Sequence, residues 1–177
     1  KDPYSASKAM AELATESYSS SFLGDIGIAS ARAGNVIGGG DIAPFRIIPD
    51  AFRALSIEAP LKLRNPEATR PWQHVLDVIT GYLLLASRLN DAGGDFPRSF
   101  NFGPLASFTV RELVESFFLH MGAGSWLPES SGENSWPEAA TLALDSSRAT
   151  KILGWKNRLD FSGMIRLTAE WYEQALH

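Results

Sequence analysis

Cysteine is absent from the 177-residue sequence, which excludes a disulfide framework and any thiolate metal site. The three histidines, His74, His120 and His177, are too scattered to indicate a zinc cluster. No apolar run approaches the roughly 20 residues that a membrane-spanning helix needs, and no basic region followed by an apolar stretch opens the sequence. We therefore expect no metal site, no membrane partner and a cytoplasmic location.

A strongly basic face is also missing. The net charge of −4 is spread along the chain, so nucleic acid is not an expected partner. A hydrophobic content of 45% with 20% charged residues predicts an ordinary globular protein. The sequence opens with Lys1-Asp2-Pro3 directly before a helical pattern, so we expect it to be the carboxyl-terminal part of a longer polypeptide.

Helical and strand patterns alternate along the chain, which is typical of an α/β fold. Helices are predicted at 5–22, 47–55, 75–89, 110–120, 147–153 and 161–176, and strands at 26–33, 61–63, 99–103 and 142–144. Thr109 and Glu112 predict a capping box, and Ser146 predicts a helix cap. The third helix carries its apolar residues on one face: Val75, Ile79, Tyr82, Leu83 and Ala86. Residues 122–137 are rich in Gly, Ser and Pro and predict an irregular connection.

Tyr4 and Lys8 are four residues apart in the first helix, so their side chains leave one face a turn apart. A neighbouring cation favours the phenolate form of tyrosine, which can accept a proton from a substrate hydroxyl. The same Lys can bind the ribose of a nicotinamide cofactor. By itself this spacing is more often that of a solvated helix surface.

Five further motifs follow the Tyr4–Lys8 helix in the sequence. In order they are Arg32-Ala33-Gly34-Asn35, Arg46-Ile47-Ile48-Pro49-Asp50, Arg70-Pro71-Trp72-Gln73-His74-Val75, Asn101-Phe102-Gly103 and Leu153-Gly154-Trp155. This order resembles the nucleotide-sugar branch of the extended short-chain dehydrogenase/reductase family across nearly the whole chain. The segments 33–41, 64–66 and 70–75 resemble CDP-glucose 4,6-dehydratases more than the dTDP-glucose enzymes.

The resemblance implies the carboxyl-terminal part of a Rossmann-like parallel sheet plus a small α/β substrate-binding domain. Residues 1–34 would be the remnant of an NAD-binding Rossmann domain. Residues 35–177 would mainly bind the nucleotide sugar, with 75–103 returning to the Rossmann sheet. The complete enzyme would be a homo-oligomer that uses NAD and converts CDP-glucose to CDP-4-keto-6-deoxyglucose, a precursor of sugars in surface polysaccharides.

The family's motifs also assign roles to individual residues. Tyr4 would accept the proton of the sugar 4-hydroxyl with Lys8 beside it, and Tyr4, Lys8 and Arg32 would contact NAD. Arg70 would bind the diphosphate, with Arg46 as a weaker partner. The expected substrate-binding residues are Asn35, Arg46, Ile47, Ile48, Leu61, Leu63, Arg70 and Asn101.

Several readings stay open. Gly38-Gly39-Gly40 is either a flexible turn or a loop that approaches phosphate, but it lacks the ending of a P-loop. Trp72, Trp155 and His74 are expected to be structural. An epimerase, a decarboxylase or a non-catalytic nucleotide-sugar-binding fragment are the alternatives to a dehydratase.

The family's dinucleotide fingerprint, its catalytic Ser/Thr and the acid/base pair that eliminates water are expected upstream of Lys1. The chain alone is therefore expected neither to bind NAD nor to catalyse the reaction. The segment Trp136-Pro137-Glu138-Ala139-Ala140 departs from the family's usual pattern before the last strand, which puts that edge of the nucleotide pocket in doubt.

Overall fold

The computed structural model describes residues 2–22, 26–91, 96–129 and 139–175. Within these ranges the chain forms five α-helices, eight short strands and one π-helical turn. The helices are α1 (Pro3–Phe22), α2 (Ile47–Ser56), α3 (Val75–Asp91), α4 (Val110–Met121) and α5 (Phe161–Ala175), and the π-helical turn is Ala149–Leu153. The strands are β1 (Ser30–Ala33), β2 (Asn35–Ile37), β3 (Leu61–Leu63), β4 (Thr69–Arg70), β5 (Trp72–His74), β6 (Ser99–Phe102), β7 (Phe108–Thr109) and β8 (Trp126–Pro128).

The strands pair two by two. The pairs β1–β6, β2–β5 and β3–β8 are parallel, and β4–β7 is antiparallel. Only Gly34 separates β1 from β2, so one extended segment leaves β6 and continues beside β5. Parallel pairs joined through helices are the arrangement of α/β proteins, which confirms the predicted class.

The larger hydrophobic core lies where α2, α4 and α5 pack against β2, β3 and β5. Its most deeply buried side chains include Ile48, Leu113, Phe117, Ile165 and Tyr172. Helix α4 begins with the predicted capping box. The Glu112 N–H donates to Thr109 Oγ1 at 3.0 Å, and the Thr109 N–H donates to the Glu112 carboxylate at 2.7 Å. A cap of this kind satisfies two of the backbone donors that a helix start leaves unpaired.

A second hydrophobic core joins β6, α3 and the π-helical turn, with Leu85, Phe100, Phe102, Ala149, Leu153 and Trp155 as its buried members. Gly81 of α3 allows this close packing, because a Cβ there would lie 2.4 Å from the Phe102 ring. The Trp155 indole is buried and donates its N–H to the Asp77 carbonyl oxygen at 3.0 Å. Trp155 therefore anchors the core, as predicted.

Helix α5 fixes the loop that precedes α2. A Cβ on Gly39 would lie 2.2 Å from Cγ of Trp171, so α5 packs directly on the loop backbone. The buried Tyr172 hydroxyl donates to the Asp41 carbonyl oxygen. From the other side, Arg53 donates to the carbonyl oxygens of Ile42 and Ala43, each at 3.2 Å.

The Tyr172 contact predicts a loss of stability in alkali. Burial, with the nearby Asp41 carboxylate, raises the pKa of Tyr172 from 10.0 to about 12. Because the unfolded chain loses this proton first, the contribution of Tyr172 is fully present below pH 10 and is lost as pH rises towards 12. We expect the free energy of unfolding to fall by about 1 kcal/mol more between about pH 9 and pH 11 in the native chain than in Tyr172→Phe. Urea titrations of both proteins at the two pH values measure the free energy of unfolding. An equal fall in both proteins would contradict the prediction.

Some predicted elements differ from the observed ones. The first strand begins at Ser30 rather than at residue 26, and 142–144 form no strand; only Thr141 makes an isolated bridge, with Thr69. Strand β8 arises inside the segment expected to be irregular, since Leu61 pairs with Trp126. The Ser146 hydroxyl exchanges hydrogen bonds with the Gly103 backbone instead of capping a helix. Residues 130–138 and His177 lie outside the described residues.

Two helices turn apolar residues outward. In α3 the residues that pack inward are Asp77, Val78, Gly81 and Leu85, while most of the predicted apolar face, including Leu83, is exposed. Helix α1 likewise exposes Met10, Leu13, Tyr18 and Phe22. Periodicity found the helices, but it did not say which side packs, because α3 is apolar on both faces.

No helix in the described ranges has the length and apolar character to cross a membrane. Among the same residues, no group of three or more His, Cys, Asp or Glu is placed to hold a metal ion.

Candidate functional site

The start of α1 presents Tyr4 and Lys8 together. The Asp2 carboxylate accepts hydrogen bonds from the Ser5 N–H at 2.9 Å and the Ser5 hydroxyl at 2.7 Å, which caps the helix. Tyr4 is 71% exposed, and the Lys8 Nζ lies 5.4 Å from the centroid of its ring. The prediction that both side chains share one helix face is confirmed. Their phenol and ammonium groups are close enough for the cation to act on the ring.

Arg32 and Asn101 lie opposite each other on the parallel strands β1 and β6. Arg32 Nη1 donates to Asn101 Oδ1 at 3.1 Å, and Asn101 Nδ2 donates to the Asp145 carbonyl oxygen at 3.1 Å. The other guanidinium nitrogens of Arg32, Nε and Nη2, bind both carboxylate oxygens of Glu12 in α1. These hydrogen bonds hold the pKa of the Glu12 carboxyl below its usual value, so the pair stays charged at neutral pH.

Asn35 follows the point where the extended segment changes partner. Gly34 is squeezed there, since a Cβ would lie 2.6 Å from the Pro71 carbonyl oxygen. In the β2–β5 pair Asn35 lies opposite Trp72, two residues after Arg70. The fold therefore brings Asn35 and Arg70 to neighbouring positions. Asn35 also lies just beyond the carboxyl ends of the parallel strands β1 and β6, and the carboxyl edge of such a sheet is where α/β proteins bind ligands.

Arg70 is partly buried, and its Nη1 donates to the Thr69 carbonyl oxygen at 2.9 Å. Two residues on, Trp72 is buried and donates its indole N–H to the Phe108 carbonyl oxygen at 3.1 Å, so it is structural as predicted. His74 is buried too, and its Nδ1 accepts from the Leu76 N–H at 3.2 Å. Burial lowers the pKa of His74, which keeps its imidazole neutral at physiological pH.

The remaining predicted substrate residues lie in two neighbouring elements, α2 and β3. Arg46 immediately precedes α2 and is largely exposed, with its Nε 4.0 Å from the Asp41 carboxylate. Ile47 is partly buried. Three of the predicted residues lie in the larger core: Ile48, Leu61 and Leu63. Their side chains are committed to packing, so only their main chain can meet a ligand.

The glycine loop is a packing device. Gly38 lies against α3, because a Cβ would be 2.6 Å from Cγ1 of Val75, and Gly39 lies against Trp171. Gly40 has a φ of 82°, a left-handed conformation that suits glycine. Close approach to neighbouring side chains thus explains two of the glycines and turn geometry the third.

The surface clefts among the described residues include the following two. One, of about 250 Å³, lies between α1 and the β1–β6 pair and is lined by Glu12, Ser19, Arg32 and Arg98 among others. The other, of about 410 Å³, lies between α4 and β8 beside Phe118 and Trp126. Of the predicted site residues, only Arg32 lines either cleft.

Glu12 is the site neighbour that sequence reasoning missed. Its signal was available, because it stands four residues after Lys8 on the face that Tyr4 and Lys8 define. Asp145 gave no such signal, since only its backbone carbonyl takes part.

The parallel strand pairs and the helices that join them define an α/β protein of the Rossmann-like class. The sequence profile described as GDP-mannose 4,6 dehydratase matches residues 1–168. The chain belongs to this family.

Relatives of the chain include the CDP-glucose 4,6-dehydratase of Salmonella typhimurium, which is 40% identical over 97% of this chain and 50% of its own length. A UDP-glucose 4-epimerase of Lacticaseibacillus casei is 28% identical over 59% of the chain and 30% of its own length. The chain spans about half the length of the first of these relatives.

Solved structures share the fold at low identity. A UDP-glucose-4-epimerase from Stenotrophomonas maltophila, with bound NAD and formylated UDP-arabinopyranose, superposes with a TM-score of 0.83 at 22% identity. That match covers 99% of this chain and 56% of the epimerase. An epimerase from Methanothermobacter thermautotrophicus gives a TM-score of 0.85 at 21% identity, covering 98% of this chain and 51% of that one.

Proposed function

We propose that the chain is the carboxyl-terminal part of an NAD-dependent CDP-glucose 4,6-dehydratase. The likeness to the Salmonella typhimurium enzyme, which runs through nearly the whole chain, is the observation that carries the proposal. The product is CDP-4-keto-6-deoxyglucose, a precursor for surface polysaccharides. The complete enzyme is a homo-oligomer that acts in the cytoplasm on its nucleotide sugar.

The exposed start of α1 suits the nicotinamide end of NAD, which when bound would accept a hydride from the sugar and return it. Tyr4 takes the proton of the sugar 4-hydroxyl, and its exposure leaves the phenol open to a ligand. Lys8, whose Nζ lies 5.4 Å from the centroid of the Tyr4 ring, binds the ribose. The glycine loop does not fit the cofactor diphosphate, because Gly38 and Gly39 are packed against Val75 and Trp171.

The sugar nucleotide lies beyond the change of strand partner at Gly34. Asn35 and Arg70, at neighbouring positions on β2 and the β4–β5 segment, contact the sugar and the diphosphate, where a guanidinium suits the anion. Arg46, exposed before α2, adds a second cation. Ile47, Ile48, Leu61 and Leu63 contribute backbone contacts, and Asn101 lies towards the nucleotide.

The proposal keeps the predicted division of the chain. Residues 1–34 belong with the NAD-binding part and 35–177 mainly with the nucleotide-sugar part. The second hydrophobic core supports the return of 75–103 to the first part, because it contains Leu85, Phe100 and Phe102. It also contains Ala149, Leu153 and Trp155, so we extend that return to 149–155.

Incubation of the complete polypeptide with CDP-glucose and NAD tests the function, with the product followed by mass spectrometry. A dehydratase gives a product lighter by one water. The epimerase alternative, favoured by the likeness to the Lacticaseibacillus casei enzyme, gives an isomer of unchanged mass. Parallel reactions with UDP-, GDP- and dTDP-glucose test the base. No conversion of CDP-glucose, or faster dehydration of another nucleotide sugar, overturns the proposal.

The 177-residue chain by itself is the matched control for that assay. We expect it to bind NAD too weakly to measure, because one ribose contact from Lys8 cannot offset an association cost of about 4–15 kcal/mol. Micromolar NAD binding to this chain in calorimetry would contradict the cofactor site described above.

Arg70→Ala in the complete polypeptide should weaken CDP-glucose binding by roughly 1.5–3 kcal/mol, the range for hydrogen bonds to a charged group. Titration calorimetry measures the affinity. Arg88→Ala, at an exposed position in the last turn of α3, is the control and should bind as the unaltered protein does. Equal affinities for Arg70→Ala and the unaltered protein would remove Arg70 from the site.

A further inference from the structure

The side of α1 that packs inward is polar. Within the described part of α1, the only residues that are not exposed are Glu12, Thr15 and Ser19. The helix's large apolar side chains point outward instead, and the cleft of about 250 Å³ separates it from the β1–β6 pair. Among the described residues, hydrophobic packing therefore does little to hold α1 at one rotation about its own axis.

Two arginines make the contacts that packing does not. Arg32, on β1, binds the Glu12 carboxylate through two guanidinium nitrogens. Arg98, just before β6, donates to the Ser19 hydroxyl at 2.6 Å. Arg32 is itself held, because it also donates to Asn101, which is bound to the Asp145 backbone. A bidentate contact to a planar guanidinium fixes direction as well as distance.

Glu12 continues the stripe that carries Tyr4 and Lys8. The three residues are separated by steps of four, and successive residues at that spacing leave the same face of a helix. Lys8 confirms the alignment of the first step by lying over the Tyr4 ring. Whatever fixes Glu12 therefore fixes the direction in which Tyr4 and Lys8 point.

We propose that Glu12 and Arg32 are positioning residues, which set the rotation of α1 so that Tyr4 and Lys8 face the reacting atoms. The inference rests on the proposed function, because that function places the sugar hydroxyl and the cofactor opposite Tyr4 and Lys8. It also changes the role expected for Arg32. The guanidinium predicted to contact NAD is engaged by Glu12 and Asn101 and acts on the cofactor through the helix.

Magnitudes separate this role from a structural one. An exposed ion pair adds little to global stability, so Glu12→Gln should fold and melt close to the unaltered protein. A displacement of about 1 Å at reacting groups, in contrast, can reduce a rate by about 100-fold. Loss of the pair should therefore appear in turnover and in the local order of α1.

The test compares three variants of the complete polypeptide. They are Glu12→Gln, the charge-swap variant that combines Glu12→Arg with Arg32→Glu, and the control Glu16→Gln. Glu16 is an exposed carboxylate one turn further along the same helix. We expect Glu12→Gln to lower kcat by about 100-fold with KM for the nucleotide sugar nearly unchanged. Amide hydrogen exchange in residues 3–22 should become faster. The charge-swap variant should recover most of the turnover and most of the protection from hydrogen exchange. Glu16→Gln should alter neither property.

Unchanged kcat together with unchanged amide hydrogen exchange in Glu12→Gln would overturn the proposal. An equal effect of Glu16→Gln on these two properties would also overturn it. Should Glu12→Gln not fold, the charge-swap variant decides. If that variant folds but does not regain turnover, the proposal is overturned as well. If the unaltered protein does not dehydrate any nucleotide sugar, the proposed function falls. The hydrogen-exchange comparison still decides whether the pair orients α1.

Discussion

Tyr4→Phe should lower dehydratase turnover by roughly 10² to 10⁴-fold, the range in which a positioned acid/base group contributes to rate. The substitution removes the hydroxyl and leaves the ring that lies 5.4 Å from Lys8 Nζ, so the geometry of α1 should persist. Because the role proposed for the phenol is to accept the reacting proton, kcat should fall while KM changes little. Steady-state kinetics of the complete polypeptide measure both constants.

Tyr18→Phe is the matched control for that experiment. Tyr18 is an exposed tyrosine on the same helix, and its ring lies 5.5 Å from that of Phe22. Tyr18→Phe deletes an equivalent hydroxyl. It should leave turnover unchanged if Tyr4 is the tyrosine that takes part in the reaction. Comparable losses in the two variants, or none in Tyr4→Phe, would show that the proton acceptor is another group.

Gly39→Ala should cost about 3 kcal/mol of unfolding free energy, the upper part of the usual range for overpacking. The new Cβ would lie 2.2 Å from Cγ of Trp171 and 2.7 Å from its Cβ, and a side-chain Cβ cannot move without the helix backbone. Relief requires a shift of α5, which disturbs the hydrogen bond from Tyr172 to Asp41. Urea unfolding measures the loss.

Gly40→Ala separates steric overlap from backbone strain. A Cβ on Gly40 meets Trp171 only at 4.0 Å, but the residue has a φ of 82°. That variant should lose only about 1–2 kcal/mol, the cost of a left-handed conformation for alanine. If Gly39→Ala is no more harmful than Gly40→Ala, the loop does not pack on α5 as described.

Local signals in the sequence predicted much of this fold. Thr109 and Glu112 indicated the start of α4, and Leu61 to Leu63 alternated as the observed strand does. Strand β8 was missed because its pairing depends on Leu61, a residue far away in the chain, and the Gly- and Ser-rich flanks of β8 are typical of loops. Long-range pairing of this kind leaves little trace in a short window of sequence.

For the candidate site, local spacing predicts how two residues lie on their helix, but it does not predict the contacts between elements. The spacing of Tyr4 and Lys8 is enough to place them on one face, since helix geometry fixes it. The engagement of Arg32 by Glu12 depends on how α1 lies against β1, which spacing does not determine. Gly39 looked like a loop glycine because the partner that requires it, Trp171, lies more than 130 residues away.

The contact between Tyr172 and Asp41 joins residues 131 positions apart, so one side of the loop before α2 is supported by α5, the last helix in the described part of the chain. Domains of a growing chain fold as units once their parts have been synthesised. The loop between Asn35 and Arg46 therefore gains this contact only after α5 has emerged from the ribosome. A premature stop codon before Phe161 would leave every proposed site residue in the polypeptide and still remove the contacts of Trp171 and Tyr172 with the loop.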